Sequence, residues 1–290
     1  MTIRGENPCC RINNAQKHGV FKRTSDHQTI QRYCCKTCGK SFSAATHSPL
    51  KWQKKRQFNR TILTMLGGNI TQTNIARCFN LNPKTVAKKM IFLARIVREE
   101  MAKEQEPYAH IDAIQFDELQ TIEHTKCKPV SVAVAISKKD RKILGFEVSE
   151  MPATGHLARI SRKKYGKRAD NRWVGLTTLF NQLATVLPPK IRIESDQYPS
   201  YGALVRTYFP EANFMQYKGR KGCVAGQGEM KKVGFDPLFS INHTFAMMRA
   251  NISRLNRRTW NTTKKLSALV DHLSLYAWRH NHMLTPEWLS

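Results

Sequence analysis

The hydrophobic and polar positions change their spacing near residue 108, from the period of helices to the period of strands. Three short apolar segments then follow, at 109–119, 129–137 and 142–150, with turn-prone stretches between them. This spacing predicts a three-stranded antiparallel meander. Five further elements are predicted after the meander: a helix at 173–187, a strand at 190–196, a helix at 200–209, a strand at 213–218 and an amphipathic helix at 266–282.

A meander followed by strand, helix and strand is the element order of the ribonuclease-H fold. We therefore predict an α/β fold class, with a ribonuclease-H-like catalytic domain at 107–290. In that fold the first and fourth strands are neighbours, so Asp117 and Asp196, at the ends of these strands, would share one pair of metal ions. Such a pair activates an oxygen nucleophile and neutralises the leaving 3′-oxygen of a phosphodiester. The predicted chemistry is therefore cleavage or transfer of nucleic-acid strands.

The segment before this domain predicts a helix-turn-helix DNA-binding domain at 49–106. After a helical stretch at 56–66, the apolar positions of the next helix share one face, residues 80–82 predict a tight turn, and Pro83 opens a second helix. The second helix of such a motif enters the major groove. Four polar residues near its start are candidate DNA contacts: Asn82, Lys84, Thr85 and Lys88. Two packed helices without a DNA role would show the same pattern.

Cysteines are concentrated at the start of the chain, where five of the eight lie within the first 38 residues. Cys35 and Cys38 have the spacing of two zinc ligands on a tight turn, and Gly39 lets the backbone curl around a metal. We therefore predict a small zinc-ribbon-like module at 1–48, with a hairpin at 20–35 that turns near Ser25.

The second half of this Zn²⁺ site is unusual, because Cys9 and Cys10 are adjacent. Neighbouring side chains of a strand point to opposite sides. Either both cysteines bind the metal from a bent loop, or one of them binds it together with His18. The alternative is a ribbon without metal, held together by packing of Tyr33 and Phe42.

The net charge indicates a polyanionic partner. Lys and Arg number 48 against 21 acidic residues, which gives a formal charge of +27. Each phosphate that a basic side chain neutralises releases counterions and strengthens binding. Charge alone does not distinguish DNA from RNA. The basic residues gather in four clusters, at 51–56, 162–168, 218–221 and 254–258. The last cluster supplies three candidate contacts to backbone phosphate: Arg254, Arg257 and Arg258.

Several other classes are disfavoured by the sequence. No apolar run approaches the roughly twenty residues that cross a membrane, and the N-terminus lacks the apolar stretch of a signal peptide. We therefore expect no membrane partner and a cytoplasmic, nucleoid-associated location. The chain has no phosphate-binding P-loop, and the glycines at 226–228 are too few for a nucleotide site, so we expect no nucleotide cofactor.

Three segments, QFDELQ, SDQYPSYG and FSINHTFAMMRANISRLNRRTW, resemble the transposases of bacterial and archaeal insertion sequences. These belong to the branch of the DDE/integrase superfamily with an N-terminal zinc ribbon and helix-turn-helix, and the resemblance covers nearly the whole chain. It implies that Asp117, in the Phe-Asp-Glu segment, and Asp196, followed by Tyr201, hold two Mg²⁺ or Mn²⁺ ions.

The third metal ligand of that family is usually a Glu at the start of a long helix. Here Asn242 stands in that place, with Arg249 seven residues further on, and the apolar stripe at 241–255 predicts the helix. The resemblance implies that Asn242 completes the metal shell and that Arg249 contacts phosphate. Glu229 and Asp236 are rival ligands, and a site without a third ligand, and thus inactive, is the remaining alternative.

The predicted function is that of an insertion-sequence transposase. It would bind the terminal inverted repeats of its element and catalyse metal-dependent strand cleavage and strand transfer on DNA. Because two DNA ends must be joined together, we expect a homo-oligomer on DNA. The main alternative is a catalytically inactive, transposase-derived DNA-binding relic or repressor. A third is a metal-dependent nuclease without strand transfer.

Overall fold

The computed structural model describes residues 12–24, 27–46, 48, 50–51, 53–104, 110–218, 236–255 and 260–282. By its internal contacts the chain divides into two compact units, one reaching to Ile62 and the other running from Leu63 to Leu284. Within the described ranges, no helix combines the length and the apolar character needed to cross a membrane.

The first unit contains a three-stranded antiparallel sheet. Its strands, in spatial order, are β1 (Ala15–Lys22), β2 (Thr29–Cys35) and β3 (Ser41–Ser43). The predicted hairpin is thus confirmed, whereas its turn at Ser25 lies outside the described residues. Cys35 and Phe42 are buried, and the rings of Tyr33 and Phe42 stack with centroids 5.7 Å apart. This small aromatic cluster is the core of the sheet.

Three helices follow: α1 (Asn59–Leu66), α2 (Gln72–Cys78) and α3 (Pro83–Glu104). The hydroxyl of Thr71 accepts the backbone N–H of Asn74 at 3.3 Å and so caps the start of α2. Asn80 adopts a left-handed conformation with φ 48°, and Leu81 is buried in the turn. The tight turn predicted at residues 80–82 and the helices predicted on either side of it are therefore present.

The second unit is mixed α/β and is built on a five-stranded sheet. The strands are β4 (Ala113–Ile122), β5 (Pro129–Ser137), β6 (Ile143–Glu150), β7 (Arg192–Asp196) and β8 (Asn213–Tyr217). Their spatial order is β6-β5-β4-β7-β8. β4, β5 and β6 form the predicted antiparallel meander, and β7 and β8 join β4 in parallel. All five predicted strands are confirmed, and the first and fourth of them are neighbours.

Helices cover both faces of this sheet. They are α4 (Leu157–Tyr165), α5 (Arg172–Val186), α6 (Tyr201–Tyr208), α7 (Phe239–Asn251) and α8 (Leu266–His282). Alternate residues of β5 explain the layers: Val132 and Val134 pack with α7 and α8, while Ala133 and Ala135 pack with α5 and α6. Because both faces are buried, β5 reads in the sequence as one nearly continuous apolar run.

Two helices differ from the prediction. The sequence marks α4 only as a basic stretch, because just one of its residues, Ser161, is buried. α7 ends at Asn251, whereas the apolar stripe predicted a helix through Leu255. Ile252 is extended, with φ −114° and ψ 102°, and a short 3-10 turn then returns Leu255 to the core. The buried apolar stripe therefore continues beyond the end of the helix. The predicted domain boundary near residue 106 lies inside the second compact unit.

Candidate functional site

The two aspartates that the sequence singled out lie at the same level of neighbouring strands. β4 and β7 pair in parallel, with Gln115 opposite Glu194. Asp117 and Asp196 each lie two residues further along, so both side chains leave the sheet on the same face. Adjacent strands are about 4.8 Å apart. The fold therefore brings these two carboxylates together at the carboxyl ends of two parallel strands.

The electrostatic environment of this pair disfavours two negative charges. Burial raises the pKa of Asp117 from its ordinary value of 3.8 to about 7, and repulsion from Asp196 and Glu118 adds to the effect. A hydrogen bond from the Glu118 backbone and the charge of Arg249 act in the opposite direction but do not cancel it. Burial also raises the pKa of Asp196. A cation placed between the two aspartates would relieve this strain.

Each aspartate uses one oxygen to fix its own orientation. Oδ1 of Asp117 accepts the backbone N–H of Glu118 at 2.6 Å, and Oδ1 of Asp196 accepts the backbone N–H of Tyr198 at 3.3 Å. In the part of the chain that the structure describes, no hydrogen bond reaches Oδ2 of either aspartate. One oriented carboxylate oxygen per strand therefore remains for a ligand.

A buried amide joins this strand pair to α7. Gln115 is fully buried, and its Nε2 donates to Oε2 of Glu194 at 2.8 Å and to the carbonyl of Pro237 at 2.7 Å. Its Oε1 accepts the backbone N–H of Ile241 at 3.0 Å. This one side chain thus joins β4 to β7 and fixes the start of α7 one level below Asp117. No motif in the sequence pointed to Gln115.

Two basic side chains neutralise the charge of Glu194. Lys138 donates to Oε1 of this carboxylate at 2.6 Å, and Nε of Arg192 lies 3.2 Å from the same oxygen. Ser240 of α7 donates to the carbonyl of Lys138 at 2.9 Å, which adds a second link between the sheet and the helix. Glu194 has a structural role, because its buried carboxylate has both an amide and cations as partners.

Asn242 lies in the first turn of α7, where Asp236 orients it. Nδ2 of Asn242 donates to Oδ2 of Asp236 at 3.1 Å, while Oδ1 of Asp236 accepts the backbone N–H of Leu238 at 3.1 Å. Both Asp236 oxygens are therefore engaged with α7, and the amide oxygen of Asn242 faces away from this bond. No described contact joins Asn242 to Asp117 or Asp196, and it lies beside the level of Gln115.

Arg249 lies on the same helical face as Asn242, two turns further along α7. It is near enough to Asp117 to lower the pKa of that carboxyl. Helix α7 thus places the guanidinium of Arg249 near the aspartate pair and the oriented amide of Asn242 one level below that pair. Glu229, the other rival ligand of the sequence analysis, lies outside the described residues.

Sequence reasoning also missed the partners of Glu118. This carboxylate points to the opposite face of β4 from Asp117, where Oε1 accepts the hydroxyl of Ser131 at 2.6 Å and Oε2 accepts that of Tyr201 at 3.2 Å. Tyr201 is buried against Phe116, with ring centroids 4.7 Å apart. Tyr201 was noted only as part of a motif, and the structure gives it a position behind the aspartate pair.

No group of three or more His, Cys, Asp or Glu side chains in the described ranges is arranged to hold a metal ion. In the first unit, Cys35 and Cys38 lie on one turn, and Gly39 has the left-handed φ of 68° that the predicted metal-binding turn requires. Cys9 and Cys10 lie outside the described residues.

The candidate DNA contacts on α3 divide into two kinds. Oδ1 of Asn82 accepts the backbone N–H of Lys84 at 2.9 Å, so this side chain caps the helix. Lys84 and Lys88, one turn apart, are exposed on one face, and Thr85 is half-buried. Arg254 is described and half-buried, whereas the neighbouring candidates at 257–258 lie outside the described residues.

The geometry of the aspartate pair, rather than a known relative, is the basis for assigning a function. The site combines two oriented carboxylates, a helix-borne amide and an arginine on one face of a mixed sheet. The sequence matches no protein-family model, and no curated protein matches it.

Proposed function

We propose that this chain is a DDE-type transposase with a ribonuclease-H-like catalytic domain, which cleaves and rejoins DNA strands at Asp117 and Asp196. One observation carries the proposal: the two carboxylates lie at one level of adjacent parallel strands, and burial and mutual repulsion hold the pKa of Asp117 near 7. The strand order β6-β5-β4-β7-β8 supports the ribonuclease-H-like assignment.

The donor set fits two divalent cations. Mg²⁺ and Mn²⁺ prefer carboxylate and amide oxygens, and Asp117, Asp196 and Asn242 offer these groups. When bound, the two ions activate the attacking oxygen and neutralise the leaving 3′-oxygen. Asp117 must lose its proton to bind an ion, so binding near neutral pH releases protons.

The remaining residues of the site act by positioning. Gln115 fixes the start of α7 against β4, and Asp236 holds the amide of Asn242 by its nitrogen, which leaves the amide oxygen for an ion. Arg249 places a cation near Asp117, where its guanidinium would contact a DNA phosphate. The same arginine limits the repulsion between the aspartates when no phosphate is present.

DNA as the substrate is supported by charge. The chain carries a formal charge of +27, and the exposed Lys84 and Lys88 lie on α3, the second helix of the predicted helix-turn-helix. We propose that this face contacts the terminal repeats of the element and that the enzyme works as a homo-oligomer, since two ends must be joined. Zn²⁺ at Cys35 and Cys38, with ligands from outside the described residues, would stabilise the first unit.

The test is strand cleavage and joining on labelled DNA that carries the element's ends, in Mg²⁺ or Mn²⁺. The native chain is compared with Asp196→Ala and Asn242→Ala. Asp112→Ala is the matched control, because Asp112 is exposed just before the opposite end of β4. We expect joining by the native chain and the control, and loss of activity of at least about 100-fold in Asp196→Ala. Equal activity of native chain and Asp196→Ala would refute the proposal.

The inactive relic is the second candidate, and one observation favours it: the only described side-chain bond of Asn242 is to Asp236 rather than to either aspartate. The same assay distinguishes the active transposase from the inactive relic. Tight binding of the DNA ends by the native chain, with no cleavage in either metal, would establish the relic. Loss of joining in Asn242→Ala would instead identify Asn242 as a working ligand.

A further inference from the structure

Helix α4 and the turn between β4 and β5 carry exposed positive charge that the proposed active site does not use. Residues 151–169 contain six basic residues and no acidic one. Five of these basic residues are exposed, and an exposed lysine of the turn joins them to form what we call the α4 surface: Lys126, Arg159, Arg162, Lys163, Lys164 and Lys167. Within the described ranges, no member of this surface is in an ion pair.

The carboxylates nearest in the chain to this surface already have cationic partners. Arg168, whose side chain is 9% exposed, lies 3.5 Å from Glu123 and 3.8 Å from Glu150. Asp170 accepts two hydrogen bonds from the guanidinium of Arg172, at 2.9 and 2.7 Å. The α4 surface is therefore left with positive charge alone, and such a surface attracts a polyanion.

The contacts of α4 with the turn fix the position of these cations. The hydroxyl of Ser161, which is buried, donates to the carbonyl of Cys127 at 2.7 Å. Nζ of Lys128 lies 4.9 Å from the ring centroid of Tyr165. Both contacts join the helix to the end of the sheet. A surface held in this way loses little conformational freedom when a ligand binds, so its charge is used efficiently.

The α4 surface lies towards the same end of the sheet as the aspartate pair. The turn that holds α4 follows the carboxyl end of β4, and Asp196 ends β7, which runs parallel to β4. The turn begins six residues beyond Asp117, a distance of roughly 20 Å at the usual rise of a strand. One turn of a DNA duplex spans about 34 Å. A duplex with a phosphate at the aspartates is therefore long enough to reach α4.

The side chains of the α4 surface suit phosphates better than base edges. Arg159 and Lys163 lie one helical turn apart, on the side of α4 away from Ser161. The segment 151–169 has no Asn, Gln, Asp or Glu, the residue types that pair with adenine or cytosine in the major groove. Phosphate contacts position a duplex without reading its sequence.

We propose that the α4 surface binds the backbone of a DNA duplex of any sequence, and that this duplex is the target into which the element's ends are joined. The ends require sequence-specific contacts, which the proposed function places on α3. A target held through its phosphates needs no particular sequence. The identity of the duplex as the target rests on the proposed function, whereas its binding requires neither metal ions nor cleavage.

The first experiment measures binding of a labelled random-sequence duplex to the full chain, by fluorescence anisotropy in chelator over a range of salt concentrations. Removal of two phosphate contacts in the double variant Arg159→Gln/Lys163→Gln should weaken binding by about 10-fold and reduce the salt slope by about two. Lys139→Gln/Lys190→Gln is the matched control. It removes the same charge from two exposed lysines at the opposite end of the sheet, in the β5–β6 turn and just before β7.

The control should bind like the native chain. Equal losses in the two double variants, or an unchanged salt slope in Arg159→Gln/Lys163→Gln, would overturn the α4 surface as a binding site. A larger loss with single-stranded RNA of the same length than with the duplex would overturn the choice of DNA.

A second experiment tests the identity of the duplex, by following cleavage of the element's ends and their joining to an unrelated plasmid. Arg159→Gln/Lys163→Gln should lose several-fold more in joining than in cleavage. Equal losses in both steps would overturn the assignment to the target. If the native chain cleaves nothing, that assignment fails together with the proposed function, and the salt slope alone then decides whether the α4 surface binds DNA.

Discussion

Replacing Asp117 by Asn should stabilise the metal-free protein at alkaline pH, although it removes a residue of the proposed active site. The folded-state pKa of Asp117 is about 7, against an ordinary value of 3.8. The native state therefore holds a proton that the unfolded chain has lost, and native stability falls as the pH rises from about 4 to about 7. Asn has the same shape, still accepts the Glu118 N–H and carries no charge.

The size of the effect follows from the shift. A difference of roughly three pKa units, at 1.36 kcal/mol each, sets an upper bound of about 4 kcal/mol at pH 8. Partial exposure of the side chain and relaxation of its surroundings reduce this, so we expect Asp117→Asn to gain about 2 kcal/mol or more at pH 8. At pH 4.5 the gain should shrink below about 1 kcal/mol, because most of the loss of native stability occurs at higher pH, up to about 7.

Urea unfolding in chelator at the two pH values provides the measurement. Asp112→Asn is the control, since it removes an exposed carboxylate just before the other end of β4 and should change little at either pH. Added Mg²⁺ at pH 8 should stabilise the native chain and leave Asp117→Asn almost unchanged, because the ion binds only the folded carboxylate pair. The reasoning is refuted if Asp117→Asn is less stable than the native chain at pH 8, or if both respond equally to Mg²⁺.

Three further perturbations test other parts of the structure. Gln115→Leu removes three hydrogen bonds and should cost about 2–4 kcal/mol in urea unfolding; a loss under 1 kcal/mol would contradict its role in fixing α7. Cys38→Ser should lower the zinc content found by metal analysis, whereas Cys34→Ser should not, and equal content in both would argue against the zinc turn. Lys88→Gln should weaken DNA binding and reduce the salt slope by about one, while exposed Lys190→Gln, the control, should leave the slope unchanged.

The strands and the aspartate pair could be predicted because their signal is local. Alternation and apolar runs mark β4 to β8, and the element order then places the first and fourth strands side by side. Once these strands are neighbours, the two-residue step beyond Gln115 and Glu194 fixes the level of both aspartates. Helix α4 carried no such signal, since its residues are mostly exposed and basic.

The support of the site could not be predicted, because its contacts join distant parts of the chain. Gln115 bonds to residues 79, 122 and 126 positions away. In the sequence this glutamine looks like any polar residue in a strand, and only the packed structure shows that no water reaches it. Buried polar side chains of this kind acquire their function from partners that no short motif contains.

The contrast between two successive levels of the same sheet face supports a cation site at the upper one. At the lower level the buried carboxylate of Glu194 is matched by Lys138, Arg192 and the amide of Gln115. One step along the strands, burial and repulsion hold the pKa of Asp117 near 7 although Arg249 acts to lower it. The chain neutralises the carboxylate of Glu194 but leaves Asp117 and Asp196 in mutual repulsion. This repulsion is a cost in stability. Divalent cations would remove that cost, and phosphodiester chemistry provides a physical reason to retain it.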